Sequence, residues 1–333
     1  MSLAAAPAMA ARPERLRGTS RLELVVARTA LLAPGIRQVV LRDPASRRLP
    51  SHAPGSHIVL ECGGRTNAYS LTGPGDAPDE YSISVLHRPD GRGGSSAVHR
   101  LLAGERVLAS PPRSAFAPVA TARRHLLIAG GIGITPMVSH LRAALDWDRP
   151  AELLYSYRPG GAAHLEEVRR LCSASPALAL TEFSGRRAFR EGLAQALRRQ
   201  PLGTHLYACG PQGFMDLVLS EARAACWPES RLHLEAFGAA ELAPGEPFTA
   251  RLARSGRTLP VPSGTSLLEA LEQAGHPVPN LCRQGVCGEC VLPVKAGRPQ
   301  HRDLFLAPAE KAANNAIMCC VSRSQDPELE LDL

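Results

Sequence analysis

Hydrophobic and polar positions change their spacing twice along the chain. Between residues 20 and 118, short apolar segments, "LELVVART", "IRQVVLRD", "HIVLEC" and "YSISVLHR", are separated by Pro- and Gly-rich turns. Short strands at that spacing predict a small antiparallel β-barrel. From about 122 to 238, apolar strand-like runs alternate with helical ones. "HLLIAG" runs into a glycine loop and the helix "PMVSHLRAAL"; "AELLYSY", "LEEVRRLC", "LALTEF", "GLAQALRR" and "HLYACG" follow. That alternation predicts a parallel sheet wrapped by helices, an α/β module. "GAAELAPGEPF" reads as a linker, and the remainder holds strand-like "FTARLARS", a helix at "SLLEALEQAG" and cysteine-bearing loops. The expected chain is multidomain: a tail (1–19), an antiparallel β-barrel (20–120), an α/β module (121–240), a linker (241–247) and a small α+β module (248–333).

Length agrees with several modules, because 333 residues exceed what one core usually organises. The longest apolar runs, such as "LLIAGGIGI", fall short of the roughly 20 residues needed to cross a bilayer. At the N-terminus "MSLAAAPAMAARPERLRG" has no sustained apolar stretch, and Glu14 argues for a frayed tail over an organellar presequence. The expected location is the cytoplasm, where thiols stay reduced and clustered cysteines indicate metal or redox chemistry.

The net charge of +7 invites a nucleic-acid reading, which the details reject. Lys295 and Lys311 are the only lysines, so the basic excess is an arginine bias along the chain. Aromatic content is 4%, too sparse for base-stacking platforms. From residue 246 onward nine basic residues face ten acidic ones, so the excess lies in the first 245, where anionic nucleotides would be welcome.

Two glycine loops carry candidate nucleotide chemistry. In "AGGIGITP", Gly131-x-Gly133 permits a tight turn after a strand, with Pro136 at the first helical position and Thr135 as cap. Unpaired N–H groups and the positive helix end would then face a pyrophosphate. Pro136 stands where the usual dinucleotide fingerprint has its third glycine, and a plain strand–helix turn is the alternative. "YACGPQGFM" sets Cys209, Gly210 and Pro211 at a second strand end, on the carboxyl edge where ligands gather in parallel sheets. For Cys209 the alternative is simple core packing. In the first module, "NAYSL" and "GRGGSSAVH" would aim the N–H groups and hydroxyls of Gly93, Gly94, Ser95 and Ser96 at a phosphate, with Arg92 adding charge. A flexible hairpin connection is the alternative.

"AYSL", "GRGGS", "PPRSAF", "AGGIGITP", "YSYR", "YACGP", "HLEAFG" and the C-terminal cysteines occur in one order along one chain. That order resembles the phthalate dioxygenase reductase and vanillate O-demethylase reductase family, over about residues 20–333. The resemblance implies flavin- and nicotinamide-binding modules followed by a ferredoxin-like [2Fe–2S] module. It places Tyr69 and Ser70 at the isoalloxazine, the Val85 backbone at its pyrimidine edge, and Gly93, Gly94 and Ser95 at the FMN phosphate. Gly131, Gly133, Thr135 and Pro136 would form the pyrophosphate turn of NADH, with Arg158 at the adenosine side and Cys209, Gly210 and Pro211 towards the nicotinamide. Phe237 would lie against the flavin with Glu235 nearby, and interdomain packing is the alternative for that phenylalanine. The family usually has Arg two positions before the Tyr of "YS"; here Asn67 stands there, which bears on the choice of FMN over FAD. Arg65 and Arg92 are the candidate substitutes.

Cys282-x4-Cys287-x2-Cys290 with a distant fourth cysteine is the plant-type [2Fe–2S] spacing. Gly285 and Gly288 would let that loop fold tightly around sulfur. Structural zinc sites use two short pairs, which adjacent Cys319 and Cys320 cannot reproduce. Disulfides suit neither the compartment nor nine cysteines. The family places the fourth ligand just before a "VSR"-like triplet, here 321–323, which selects Cys320. On an extended segment Cys319 would point the other way, into the core. Cys62, Cys172 and Cys226 read as packing residues.

The implied activity is electron transfer from NADH through flavin and cluster to a Rieske-type terminal oxygenase, with Ser70, Cys209 and Glu235 shaping the hydride pocket. A haem or di-iron oxygenase partner and a non-enzymatic zinc-binding sensor are the rival readings. NADPH stays open because Arg186 and Arg187 would lie near a 2′-phosphate, and a monomer is the default.

Overall fold

The computed structural model describes residues 21–333 apart from 92, 115, 238–243, 281–282, 284, 286–287 and 304. The tail, Arg92, Gln284, Cys282, Cys287 and residues 241–243 of the expected linker therefore lie outside the described residues. Three modules follow one another along the chain, each built on one main sheet.

The first comprises β1 (Leu22–Ala33), β2 (Ile36–Arg42), β3 (Ser56–Cys62), β4 (Arg65–Ser70), β5 (Glu80–Leu86), β6 (Arg106–Ala109) and β7 (Arg113–Ser114), with helix α1 (Gly94–Arg100) between β5 and β6. All its ladders are antiparallel, in the order β4-β3-β6-β1-β2-β5, with β7 added on β3. Its two ends meet through a single bridge, Leu71–Ile83, so the expected barrel takes the form of a curled sheet without a closing ladder. Alternate residues Leu24, Val26, Val39, Leu41, Ile58, Leu60 and Ile83 fill its interior, as the two-residue period of strands requires.

The second sheet is wholly parallel: β8 (Arg124–Gly130), α2 (Ile134–Asp146), β9 (Ala151–Ser156), α3 (Leu165–Ser173), β10 (Leu178–Phe183), α4 (Arg186–Arg199), β11 (Thr204–Cys209), α5 (Gln212–Ala224) and β12 (Leu232–Glu235). Leu127 and Ala129 of β8 face α2 and α3, whereas Leu126 and Ile128 face α4 and α5. Such double-sided burial explains the unbroken apolar run "HLLIAG". The strand order β10-β9-β8-β11-β12 reverses direction between β8 and β11. At that reversal the loops leaving the two strands diverge and open a crevice for a ligand.

The third module contains β13 (Phe248–Leu252), β14 (Thr258–Val261), α6 (Leu267–Gln273), β15 (Val291–Ala296), β16 (Pro299–Gln300), α7 (Pro308–Ala312), β17 (Ala316–Met318), β18 (Arg323–Ser324) and β19 (Glu328–Leu331). Its main sheet runs β14-β13-β19-β15-β17, with β13 and β19 parallel. Ser266 and Glu269 form a reciprocal capping box that starts α6.

The modules join differently. Ile36, Leu32, Ala33 and Leu86 of the first pack into the α2–α3 side of the second, sharing its core. The third module's core draws all its residues from 248–333. Arg323 fastens the linker to it: the guanidinium donates to the carbonyls of Glu246, Pro262 and Thr265 and lies 5.2 Å from the Phe248 ring centre.

Candidate functional site

The sheet reversal brings the nucleotide-loop residues together. β8 ends at Gly130, a 3₁₀ turn covers Gly131–Gly133, and α2 begins at Ile134. This corrects the expected cap: Thr135 and Pro136 lie inside the first turn, and Gly133 occupies the cap position. The Thr135 hydroxyl is buried and donates to the Ile132 carbonyl (3.1 Å), so it stabilises the 3₁₀ turn and caps no N–H group. Gly133 is required by contact. A Cβ there would lie 2.2 Å from the Cys209 carbonyl oxygen, so the two strand ends approach backbone to backbone. Gly210 and Pro211 follow on the β11 side, with Pro211 capping α5. Arg158 is exposed beyond β9, within reach of solvent.

At the seam between the first two modules, Cys209 is paired in register with Ala129 on one side and Glu235 on the other. The Ser70 hydroxyl, at the end of β4, lies 3.4 Å from Glu235 Oε2. Burial pushes the Glu235 carboxyl up to about 8, opposed by that Ser70 hydrogen bond. Burial and the neighbouring Glu235 charge push the Cys209 thiol far up, so it stays protonated. A thiol, a hydroxyl and a carboxyl with a near-neutral pKa thus converge where the two modules meet. Phe237 packs beside them on the shared core.

The remaining first-module candidates surround α1. The Asn67 amide crowds Gly94, coming within 1.9 Å of where a Cβ there would sit, and it hydrogen-bonds the Tyr69 hydroxyl. Burial raises the Tyr69 phenol above its usual range. Gly93 has φ 88°, in the left-handed region that suits glycine. The Ser95 hydroxyl bridges the Arg88 N–H (3.0 Å) and carbonyl (3.3 Å). The Val85 carbonyl accepts from His99 Nε2 at 2.8 Å, which engages one of its two lone pairs.

In the third module Cys290 and Cys320 are buried and close together. Cys319 and Cys320 both hydrogen-bond to the Cys290 sulfur, which lowers its pKa below the ordinary thiol range. This corrects a second expectation. β17 stops at Met318, and Cys319–Cys320 lie in a turn held by Val321 and Ser322 N–H bonds to the Met318 carbonyl. The opposite-faces argument for a strand does not apply there, and both sulfurs reach Cys290. Gly285 and Gly288 adopt φ 74° and 82°, as a tightly folded loop requires. Two thiols converging from a loop and a remote turn fit a cluster edge, with Cys282 and Cys287 outside the described residues.

Three features lay outside the sequence reading. Buried Asp303 accepts from the N–H groups of Phe305 and Leu306 and from Ser322, supporting the turn beside Cys320. His164, buried at the start of α3, bonds Ser84 of the first module (2.9 Å) and Glu167 (2.7 Å). Glu167 pairs in turn with Arg142, whose Nε donates to the Thr72 carbonyl. The signal for this clasp was His followed by Glu three residues later in "HLEE", a spacing too common to single out.

Comparison with known proteins decides the family. Residues 105–232 match the dimethylamine monooxygenase subunit DmmA-like N-terminal domain family, and 250–325 match the 2Fe-2S iron-sulfur cluster binding domain. The chain is 42% identical to the heme-dependent oxidative N-demethylase beta subunit of Ectopseudomonas mendocina, over 94% of this chain and 99% of that one. It is 36% identical to the vanillate O-demethylase oxidoreductase of a Pseudomonas strain, over 94% and 100%. The chain belongs to the family of oxygenase reductases that includes phthalate dioxygenase reductase and vanillate O-demethylase oxidoreductase. The solved structure of phthalate dioxygenase reductase superposes with a TM-score of 0.72 at 33% identity, covering 94% of this chain and 98% of that one. An intact type IV self-sufficient cytochrome P450 monooxygenase matches with a TM-score of 0.77 at 33% identity, this chain covering 41% of it. Like its family, the chain is an NAD(P)H-dependent flavin iron–sulfur oxidoreductase that passes electrons through a flavin and a [2Fe–2S] cluster. No helix among the described residues is long and apolar enough to cross a membrane.

Proposed function

We propose that this chain draws electrons from NADH through FMN and a [2Fe–2S] cluster and delivers them to a haem-dependent oxygenase that demethylates an amine. The end-to-end likeness to a heme-dependent N-demethylase subunit carries this reading, supported by the match to a dimethylamine monooxygenase family. A Rieske-type acceptor, the expectation from the sequence, is the second reading, favoured by the likeness to phthalate dioxygenase reductase.

When bound, the nicotinamide supplies hydride, the flavin divides the electron pair and the cluster hands on single electrons. This chain's residues bind and orient those groups. Gly131, Gly133, Thr135, Pro136, Gly210 and Pro211 would form the pyrophosphate crevice, and Arg158 would meet the adenosine side. NADPH stays an alternative to NADH, because Arg186 and the exposed Arg187 would both be available to meet a 2′-phosphate. Asn67, Tyr69, Val85, Gly93, Gly94 and Ser95 would hold FMN, and Phe237 would cover it. Ser70, Cys209 and Glu235 would shape the pocket for the hydride, Glu235 keeping its proton below pH about 8. Cys282, Cys287, Cys290 and Cys320 would ligate the cluster. The cytoplasm, where thiols stay reduced, is the compartment that suits a cysteine-ligated cluster.

The test mixes purified reductase and NADH, without oxygen, with a haem-dependent amine demethylase subunit or with a Rieske oxygenase component. Faster reduction of the haem protein supports the first reading, and the reverse selects the second. A reductase whose cluster NADH reduces, yet which reduces neither acceptor, overturns both.

A further inference from the structure

The cysteine loop meets the first module at an ion pair. Glu289 directly precedes Cys290, and its carboxylate pairs with the Arg113 guanidinium of β7. Arg113 is 27% and Glu289 30% exposed, so the pair is half-buried, stronger than a fully exposed pair yet still open to screening by salt. β7 lies on β3 with Arg113 facing His57, and His57 faces Ser70 across the β3–β4 ladder. Facing residues on neighbouring strands stand about 5 Å apart. Ser70, His57, Arg113 and Glu289 therefore form a row from the Glu235 seam to the loop of Cys290. His57 is buried (4% exposed), and its Nε2 has no hydrogen-bond partner among the described residues. Burial beside Arg113 lowers its pKa to about 4, so a neutral ring leaves the Arg113 charge to Glu289. The roles proposed above use none of these three residues.

We propose that Arg113 and Glu289 are a positioning pair that docks the cluster loop on the flavin module and sets the gap electrons cross between the two cofactors. The proposal rests on the reductase reading above. Each crossing takes one electron from the reduced flavin and adds one to the oxidised cluster, with no bond made or broken, so geometry is what the protein controls.

The test uses the full, cofactor-loaded chain as Arg113→Gln, Glu289→Gln and the swap Arg113→Glu/Glu289→Arg. Iron and sulfide content is measured first. Rapid mixing with NADH follows cluster reduction, ferricyanide reduction at the flavin is the control, and small-angle scattering reports compactness. We expect each single variant to slow cluster reduction about two- to fivefold, the factor for losing one modest pair. Its radius of gyration should rise, ferricyanide reduction should be unchanged, and the swap should recover both losses. Wild-type cluster reduction and compactness in both single variants would overturn the proposal. So would loss of iron and sulfide unrepaired by the swap, which would make the pair a folding element of the loop. Loss of NADH-to-flavin reduction in the wild type would instead overturn the reductase reading.

Discussion

Glu235→Gln tests the seam between the first two modules through pH. The carboxyl sits at the end of β12, beside Cys209 in register and 3.4 Å from the Ser70 hydroxyl. Burial raises its pKa from 4.5 to about 8. Between those values the folded chain holds a proton that the unfolded chain has released. The stability this contributes is fully present below pH 4.5, falls as pH rises, and is lost above about 8. A full proton over that window is worth roughly 5 kcal/mol, and solvent reaching a half-buried carboxyl reduces it to about 2–3 kcal/mol. Glutamine keeps the shape and an acceptor for Ser70 but does not titrate.

The assay is built into the chain. Both tryptophans, Trp147 and Trp227, lie in the second module, so their fluorescence reports the unfolding of the module that carries Glu235. Urea unfolding at pH 5, 6.5 and 8.5 should show the variant gaining on the wild type as pH rises, by about 2–3 kcal/mol across the range. Parallel pH profiles for the two proteins would refute the reasoning, because they would mean the carboxyl ionises alike in folded and unfolded chains.

Three further outcomes are expected. Gly133→Ala forces a Cβ against the Cys209 carbonyl and the Gly210 nitrogen, neither of which can rotate away; tryptophan-monitored stability should fall by about 1–3 kcal/mol, and the KM for NADH should rise. Asn67→Arg should retain flavin about ten- to a hundredfold more tightly on dialysis, by restoring a charge-assisted contact; equal retention would mean Arg65 or Arg92 already supplies it. Cys320→Ala should lose the visible cluster bands while NADH still bleaches the flavin, and Cys319→Ala should keep both; the reverse pattern would assign Cys319, whose sulfur also reaches Cys290.

The parts of this fold legible in the sequence are those set by local periodicity. Short apolar segments between Gly- and Pro-rich turns marked the antiparallel sheet, and strand–helix alternation around "HLLIAG" marked the parallel one, whose β8 is buried from His125 to Gly130 as a strand covered on both faces must be. The errors fell where one residue of register decides the outcome. Thr135 had the chemistry of a cap, but the close approach of Gly133 to Cys209 pulls the chain into a 3₁₀ turn and starts α2 one residue before it. The Cys319–Cys320 pair looked like strand because Ala316–Met318 is strand, and the turn after it depends on Asp303 and Ser322, nineteen residues apart. Long-range pairs such as His164 with Ser84, or Arg113 with Glu289, leave no local signature at all.

The two module junctions are built to different tolerances, which fits the two kinds of transfer proposed for them. Moving a hydride requires reacting atoms about 3–3.5 Å apart and aligned, and small displacements are costly. The junction that would frame this step has a shared apolar core, the His164–Glu167–Arg142 clasp bonded to Ser84 and Thr72, and a bond from the Gly55 N–H to the Ser139 hydroxyl. Apolar burial resists separation, while the directed bonds to Ser84 and Thr72 fix rotation and register. A single electron needs proximity but no shared bond, and its acceptor must also be presented to a second protein. The third module accordingly keeps a core of its own and meets the first through the Arg113–Glu289 pair, whose charges salt can weaken. Raised ionic strength should therefore loosen the cluster module while leaving the hydride junction intact.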